Sequence, residues 1–242
     1  MRDSYKRLAE IYDCVYSFKD YKKESDIVHR VIQKYSRSGG RELLDLCCGT
    51  GAHIQHLRKR YIVTGLDKSP QMLKIARTRN KSVRFVRADM NSFHLKKKFD
   101  AIVCLFSSVA YLRTKKNFAT FASRCLKHLK PGGVLIIEPF VSEKLYKKST
   151  IPFALVSEQP KLRVLRMNAH GPVRNHQTRL VMHYLVGTKG KVEHRTDIHS
   201  VGFIEPEDMV KILKARGFKA WKSKENLTHF RAGHRGQVIG LA

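Results

Sequence analysis

Acidic residues are scarce in this 242-residue chain: 20 Asp and Glu stand against 48 Lys and Arg, a formal charge of +28 at pH 7. A field of that sign gathers polyanions, so nucleic acid and phosphorylated small molecules both fit it. A lysine-rich surface that is merely solvated fits it too, because the basic residues are spread through every segment. Charge alone therefore selects no function. Long apolar runs are also missing: no stretch approaches the roughly 20 residues of a membrane-spanning helix. The start, MRDSYKRLAEIYD, carries charges where a signal peptide needs its apolar centre. The expectation is a soluble, cytoplasmic protein with no membrane partner. The five cysteines are odd in number and scattered, and the adjacent Cys47 and Cys48 make neither a CxxC motif nor a zinc knuckle. Reduced thiols in a cytosol follow. Internal repeats and low-complexity linkers are absent as well. What is present is 42% hydrophobic residues, enough for one substantial core, which excludes a disordered tail or a disulfide-stapled miniprotein.

From position 40 short apolar runs alternate with helix-like stretches, the signature of βαβ units and a mainly parallel sheet. Strands are expected at 42–46, 61–66, 83–87, 101–106 and 134–138, the last buried on both faces because it is apolar throughout. Helices are expected at 52–59 and at 70–79, with Ser69 as N-cap and Pro70 in the first turn. A third is expected at 116–129, where Phe118, Phe121, Ala122, Cys125 and Leu129 recur at helical spacing until Pro131-Gly132-Gly133 ends it. From about 153 to 203 the residues alternate as in strands, at 163–167, 179–184 and 192–199, with Gly187-Thr188-Lys189-Gly190 as a hairpin turn. A helix at 205–216 closed by Gly217, then strands near 219–223 and 236–241, complete the pattern. The fold class is α/β: a Rossmann-like, doubly wound, seven-stranded sheet with an inserted antiparallel β layer.

Asp45, Asp67 and Asp89 stand at the carboxyl ends of three successive expected strands, each 22 positions after the last. In open α/β sheets that edge, at the switch point beside the first strand, is where ligands bind. In Leu43-Leu44-Asp45-Leu46-Cys47-Cys48-Gly49-Thr50-Gly51 a strand runs into Gly-Thr-Gly, leaving backbone bare where a Cβ would block a ligand. The spacing is not GxGxxG, and no Lys-Ser/Thr follows as in a phosphate loop, so dinucleotide and triphosphate readings weaken. A carboxylate at the end of the second strand, Asp67, accepts two hydrogen bonds from a ribose diol. The three features together indicate a bound adenosine.

The runs Asp45 to Gly51, Gly65-Leu66-Asp67, Ala88-Asp89-Met90 and Leu129-Lys130-Pro131-Gly132-Gly133 resemble the motifs of the class I S-adenosylmethionine-dependent methyltransferases. Tyr12-Asp13, Tyr16, Lys19-Asp20-Tyr21, Phe106 to Leu112, Glu138-Pro139, Thr178-Arg179, Asp197-Ile198-His199 and His234-Arg235-Gly236 carry the resemblance further. They look like the N,N-dimethyltransferases that act on TDP-linked amino sugars and, more distantly, the glycine N-methyltransferases. The sequence departs at Cys47, where that class has Gly or Ala and where Cys is read as small enough to keep the turn. It departs again at Phe140-Val141, in place of a tryptophan pair, and in a shortened glycine-rich stretch before Lys19.

The resemblance implies S-adenosylmethionine as cofactor, bound by Tyr12, Tyr16, Asp45, Cys47, Gly49, Gly51, Asp67, Asp89, Met90 and Leu105. Asp67 takes the ribose hydroxyls, Asp89 the adenine amino group, and Met90 lies against the ring. Methyl transfer from a sulfonium is an in-line displacement that needs positioning and exclusion of water, so neither a metal nor a covalent nucleophile is expected. Tyr111, His199 and Tyr16 are the candidate catalytic residues. Tyr111 faces the accepting amine by resemblance; a phenol with a pKa near 10 is a poor base at pH 7, which leaves orientation of the amine as its role. His199 titrates in a range suited to proton acceptance, set against a structural role for any one of 12 histidines. Tyr12 and Tyr16, four apart on one helical face, either close over the cofactor as a lid or pack as an aromatic stripe on the sheet. Phe106, Arg179 and Arg235 are the candidate acceptor-binding residues, the arginines gripping a pyrophosphate or carboxylate unless they are simply solvated. For Leu105 and Phe106 the plain alternative is ordinary core.

The sequence thus reads as a methyltransferase acting on nitrogen of a small anionic or nucleotide-linked amine. Residues 1–141 and 202–242 are expected to form the cofactor domain with an N-terminal helical lid, and 142–201 an antiparallel insertion that supplies the acceptor pocket. Relatives in the resemblance act as homodimers. The second reading is an RNA-modifying methyltransferase or a basic RNA-binding protein, motivated by the charge. Against it, the chain has no RNA-recognition module and no Asn/Asp-Pro-Pro-Tyr/Phe motif.

Overall fold

Strands that are apolar along their whole length have to be covered on both faces. The structure, a computed structural model, describes residues 8–148, 153–224 and 236–242. Its first five strands are β1 (Glu42–Leu46), β2 (Ile62–Asp67), β3 (Arg84–Arg87), β4 (Phe99–Cys104) and β5 (Leu129–Ile137). Four more, β6 (Phe153–Gln159), β7 (Leu162–His170), β8 (Gln177–Thr188) and β9 (Lys191–Gly202), form an antiparallel sheet of their own, and β10 (Lys219–Lys222) and β11 (Val238–Leu241) return to the first. The seven-stranded sheet runs β10-β11-β5-β4-β1-β2-β3. Strands β1 to β5 are mutually parallel, and β11 is antiparallel to β5 and to β10. The order reverses between β1 and its neighbours β2 and β4, which opens a crevice beyond the carboxyl end of β1.

Alternate side chains of these strands feed two cores. Leu44, Leu46, Ile102, Cys104, Leu135 and Ile137 meet Phe118, Phe121, Ala122 and Cys125 of α5 (Lys115–His128) and Met209 and Leu213 of α7 (Pro206–Ala215). On the other face Leu43, Ala101, Val103 and Ile136 meet Ile27, Val28, Val31 and Ile32 of α2 (Tyr21–Tyr35) and Ile54 and Leu57 of α3 (Ile54–Leu57). Each fully buried aliphatic or aromatic side chain stabilises the fold by about 1.5–3 kcal/mol before entropy is counted. The helix α4 (Pro70–Arg79) begins as expected, with the Met72 N–H donating to Ser69 Oγ at 3.4 Å. The short α1 (Ala9–Val15) does not join either core: Leu8, Ile11, Cys14 and Val15 pack on Val164, Tyr184 and Val186 of the four-stranded sheet. A last short helix, α6 (Glu143–Lys148), leads into that sheet.

Four expectations are corrected. The helix at 52–59 shrinks to the single turn of α3. The fourth strand runs Phe99–Cys104 and stops before 106, because Phe106 and Ser107 both take positive φ, 51° and 56°, which no strand continues. Pro131-Gly132-Gly133 does not lie outside an element: the chain is already in β5 from Leu129, and the Pro-Gly-Gly segment coincides with a register shift against β4 between Phe99 and Ala101. The antiparallel layer has four strands where three were expected, and its last hairpin closes on Lys189-Gly190 alone, with Thr188 paired to Lys191.

Candidate active site

The loop after β1 is built on three left-handed residues, Cys47 (φ 60°), Gly49 (φ 54°) and Gly51 (φ 72°). Gly51 is fixed by packing as well, since a Cβ there would stand 2.8 Å from Asn80 Nδ2, the amide that donates to the Gly51 carbonyl. At Gly49 an added Cβ would meet nothing within 4 Å, so the bare backbone faces open space. Cys47 corrects the size argument: the turn demands positive φ there, which a non-glycine residue adopts at a cost of about 1 kcal/mol. Its thiol is 3.5 Å from Met90 Sδ. The neighbouring Cys104 thiol, and then burial, push the Cys47 thiol well above its ordinary pKa, so it remains protonated and is no nucleophile.

Asp67 closes the loop. The Gly49 N–H donates to its Oδ2 and the Ser69 N–H to its Oδ1, both at 2.9 Å. Each oxygen keeps a second lone pair for a ligand hydroxyl. Asp45, on the neighbouring strand, is 2% exposed. Burial, and then the charge of Asp67, push its carboxyl up to about 8. Asp89 lies two residues past β3 and is exposed, one oxygen taking the Asn91 N–H at 2.8 Å, and Met90 beside it is buried. Leu105 is buried in the core between the sheet and α2. Open room beside Gly49, flanked by two buried carboxyls, fits a nucleoside that carries positive charge.

Above the loop α1 is braced in a way the sequence did not disclose. Thr50 Oγ1 donates to Asp13 Oδ1 at 2.8 Å, and Arg79 of α4 pairs with Asp13 while donating to the Thr50 carbonyl at 2.9 Å. The brace sets Tyr12 against Tyr16 (ring centroids 4.6 Å) and Tyr16 edge-on to Phe106 (4.9 Å). Phe106 is held by its own N–H, which donates to Glu138 Oε2 at 2.6 Å, and Ser107 Oγ donates to the Pro139 carbonyl at 2.9 Å. Two consecutive left-handed residues of ordinary type are the sort of strain that surrounding bonds must hold in place. Lys19 Nζ sits 4.1 Å from the Phe106 ring, ion-paired at 2.7 Å with Glu24, whose other oxygen meets His53 Nε2 at 2.7 Å.

The four-stranded sheet completes the other wall. Gly202 of β9 passes so close to Arg113 that a Cβ would stand 2.1 Å from its carbonyl oxygen, and this contact carries β9 across Tyr111. Tyr111 Oη and His199 Nδ1 lie 2.7 Å apart. Burial, and then the charges of Arg166 and Lys68, push the His199 imidazole down to about 4, so it is neutral at pH 7. Arg166 of β7, which the sequence reading overlooked, is 5% exposed and donates to Tyr16 Oη at 2.9 Å. Arg179 does not join this group: it is exposed, and strand alternation turns it to the opposite face from Leu180, the register partner of His199. Arg235 lies outside the described residues.

A methyltransferase-domain family profile matches residues 43–133, the segment holding the Cys47–Gly51 loop, Asp67 and Asp89. The dTDP-3-amino-3,4,6-trideoxy-alpha-D-glucopyranose N,N-dimethyltransferase of Streptomyces venezuelae is 32% identical over 216 residues, covering 87% of this chain and 90% of that protein. The chain belongs to the class I S-adenosylmethionine-dependent methyltransferases. Among solved structures, DesVI of Streptomyces venezuelae superposes with a TM-score of 0.86 at 28% identity, covering 96% of this chain and 97% of the other. CalS10 of Micromonospora echinaspora, an amino pentose methyltransferase solved with its S-adenosylmethionine bound, gives 0.81 at 27% identity over 96% of each chain. Methyltransferases of this class take S-adenosylmethionine as methyl donor, and so does this one.

Among the residues expected in the methyltransferase site, Asp45, Cys47, Gly49, Gly51, Asp67, Asp89 and Met90 lie at the carboxyl edge of β1, β2 and β3, Tyr12, Tyr16 and Phe106 pack together, and Tyr111 pairs with His199. Arg166 and the Asp13–Arg79–Thr50 brace were missed. Arg166 had one usable signal: it shares strand parity with Val164 and Asn168, an arginine on an inward register. The brace had none, since its members are separated by 37 and 29 positions.

Proposed function

We propose that the protein methylates the amino nitrogen of a small acceptor that carries a nucleotide diphosphate, of the amino-sugar kind. The observation that carries this reading is the Tyr111–His199 pair, a phenol hydrogen-bonded to a neutral imidazole, lying across from the strained Phe106 turn with Arg166 and Lys68 nearby. A neutral polar pair suits an uncharged amine, and the cations suit phosphate. The relatives' acceptors, named above, are nucleotide-linked amino sugars. S-Adenosylmethionine supplies an electrophilic methyl carbon when bound. Gly49 leaves the backbone clear for it and Gly51 lets the loop pack on Asn80, Asp67 offers its free lone pairs to the ribose hydroxyls, Asp89 takes the adenine amino group and Met90 lies on the ring. Tyr12 and Tyr16 cover the donor and exclude water. Tyr111 orients the amine, and residues 142–201 supply the pocket in which it lies.

Turnover of dTDP-linked 3-amino and 4-amino sugars, read as S-adenosylhomocysteine release with one or two methyl groups gained by the sugar, tests the reading. Failure of every such acceptor alongside turnover of an uncharged amine would end it. The RNA reading keeps only the charge in its favour, and loss of tRNA binding near ~0.2 M salt would assign that charge to incidental attraction. The chain contains no helix long and apolar enough to cross a membrane among its described residues, and we place it in the cytosol on the strength of its five free thiols.

We further infer a homodimer. Val156, Met167, Leu185, Val192 and Ile198 are exposed together on the outer face of the four-stranded sheet. Burying this apolar face against a second copy favours association, in opposition to the repulsion between two chains of charge +28. Sedimentation equilibrium of Leu185→Asp against the unaltered protein reads the state; an unchanged mass rules the face out.

A further inference from the structure

We propose that Asp197 is a positioning residue, which holds His199 in its Nε2–H tautomer and thereby makes the Tyr111 hydroxyl a hydrogen-bond acceptor toward the substrate amine. The proposal rests on amine methylation as read above and adds the direction of its hydrogen bonds. Asp197 and His199 stand two apart on β9, on one face of the strand, opposite Met182 and Leu180 of β8. His199 Nε2 lies 3.5 Å from Asp197 Oδ2, and His199 Nδ1 lies 2.7 Å from Tyr111 Oη. The imidazole is 2% exposed, hydrogen-bonded to Tyr111 at Nδ1, with the Asp197 carboxylate near Nε2 at a distance where its charge acts without a hydrogen bond.

A neutral imidazole carries one N–H and one lone pair, and the two tautomers have opposite consequences here. With the hydrogen on Nδ1, the ring donates to the Tyr111 oxygen, and the phenol's own hydrogen is free to bond the substrate nitrogen. That bond occupies the lone pair which must attack the methyl carbon. With the hydrogen on Nε2, Nδ1 accepts the Tyr111 O–H, and the phenol oxygen is left with lone pairs only. An amine N–H then donates to it, and the nitrogen lone pair stays free. The negative charge of Asp197 lies on the Nε2 side, and a carboxylate beside one ring nitrogen draws the N–H to that nitrogen. Arg166 and Lys68 oppose a second proton on the ring, which keeps it neutral.

The test uses the full chain labelled with 15N-histidine, with His199→Gln to assign the His199 signals. Two-bond 1H–15N correlations should show the Nε2–H tautomer in the unaltered protein and a shift toward Nδ1–H in Asp197→Asn. With an accepted amine, Asp197→Asn should lower kcat roughly tenfold or more while S-adenosylmethionine affinity by calorimetry stays unchanged. Asp197→Glu should recover part of that loss, and Asp197→Asn should add nothing in a Tyr111→Phe background. An Nδ1–H tautomer in the unaltered protein, or an unchanged tautomer in Asp197→Asn, overturns the assignment. Should Asp197→Asn fail to fold, Asp197→Ser carries the same comparison. The tautomer is read without substrate, so this result stands apart from whether amino sugars are the acceptors.

Discussion

Asp45 makes donor binding depend on pH. Burial and the neighbouring Asp67 charge hold its carboxyl at about 8 in the free protein, so at pH 7 roughly nine-tenths of molecules carry it protonated. A sulfonium bound in the crevice favours the ionised form, because opposite charge lowers a carboxyl pKa in proportion to its proximity. If binding requires ionisation, affinity follows the ionised fraction, which rises from about 1% at pH 6.0 to about 24% at pH 7.5. S-Adenosylmethionine should therefore bind roughly 24-fold tighter at the higher pH, a difference of about 2 kcal/mol, and release about 0.9 proton per site at pH 7. An α-amino group with a pKa near 7.7–8.0 is itself about a quarter to two-fifths deprotonated at pH 7.5, so the difference between the unaltered protein and Asp45→Asn isolates the share of Asp45. Calorimetry in two buffers of different ionisation enthalpy measures both quantities. Asp45→Asn should flatten the pH profile and abolish the proton release that Asp45 supplies. Affinity independent of pH, or the same slope in Asp45→Asn, would refute the reasoning.

His199 should couple folding to pH. Its imidazole sits at about 4 when folded and near 6.5 when unfolded, so the unfolded chain binds the extra proton and stability falls as pH drops from 6.5 toward 4. Between pH 7 and 4.5 the unaltered protein should lose about 2 kcal/mol more than His199→Gln in urea titrations; equal losses would mean the ring is not buried neutral. At Cys47 a β-branched residue cannot sit comfortably at φ 60°, so Cys47→Val should lower stability by about 2 kcal/mol whereas Cys47→Gly stays within about 1 kcal/mol of the parent. A Cys47→Val protein as stable as the parent would show that the turn relaxes. Asp67→Ala removes the ribose acceptor and also leaves the Gly49 and Ser69 N–H groups without their partner, so it should lose both donor binding and about 1–3 kcal/mol of stability. Asp67→Asn, which still accepts from one of them, should lose binding with less of the stability, as differential scanning fluorimetry with and without ligand would read.

The parallel sheet was legible because its strands are short apolar runs at regular intervals, and the crevice because Asp45, Asp67 and Asp89 recur with the same period. What decides Cys47 was hidden: residue size can be read from a sequence, whereas a φ of 60° belongs to a turn that Leu66 and Asp67 close from another strand. The boundary at 106 failed for a related reason, since Phe106 looks like a strand residue until Glu138 pins its N–H in a left-handed turn. For Arg179 the motif left a substrate contact and a solvated side chain both open, and its parity in β8 puts it on the exposed face opposite that of Leu180. Arg166 went unread because its one signal, an inward strand parity, does not stand out among 48 basic residues.

Helix α1 is seven residues long, with Tyr12 inside it and Tyr16 as its C-cap. Asp13 grips the Cys47–Gly51 loop through Thr50, and Tyr16 is tied to Arg166 on the four-stranded sheet. A helix this short has no joint between them. Tied at Asp13 to one sheet and through Tyr16 to the other, α1 is a strut between the two halves of the crevice.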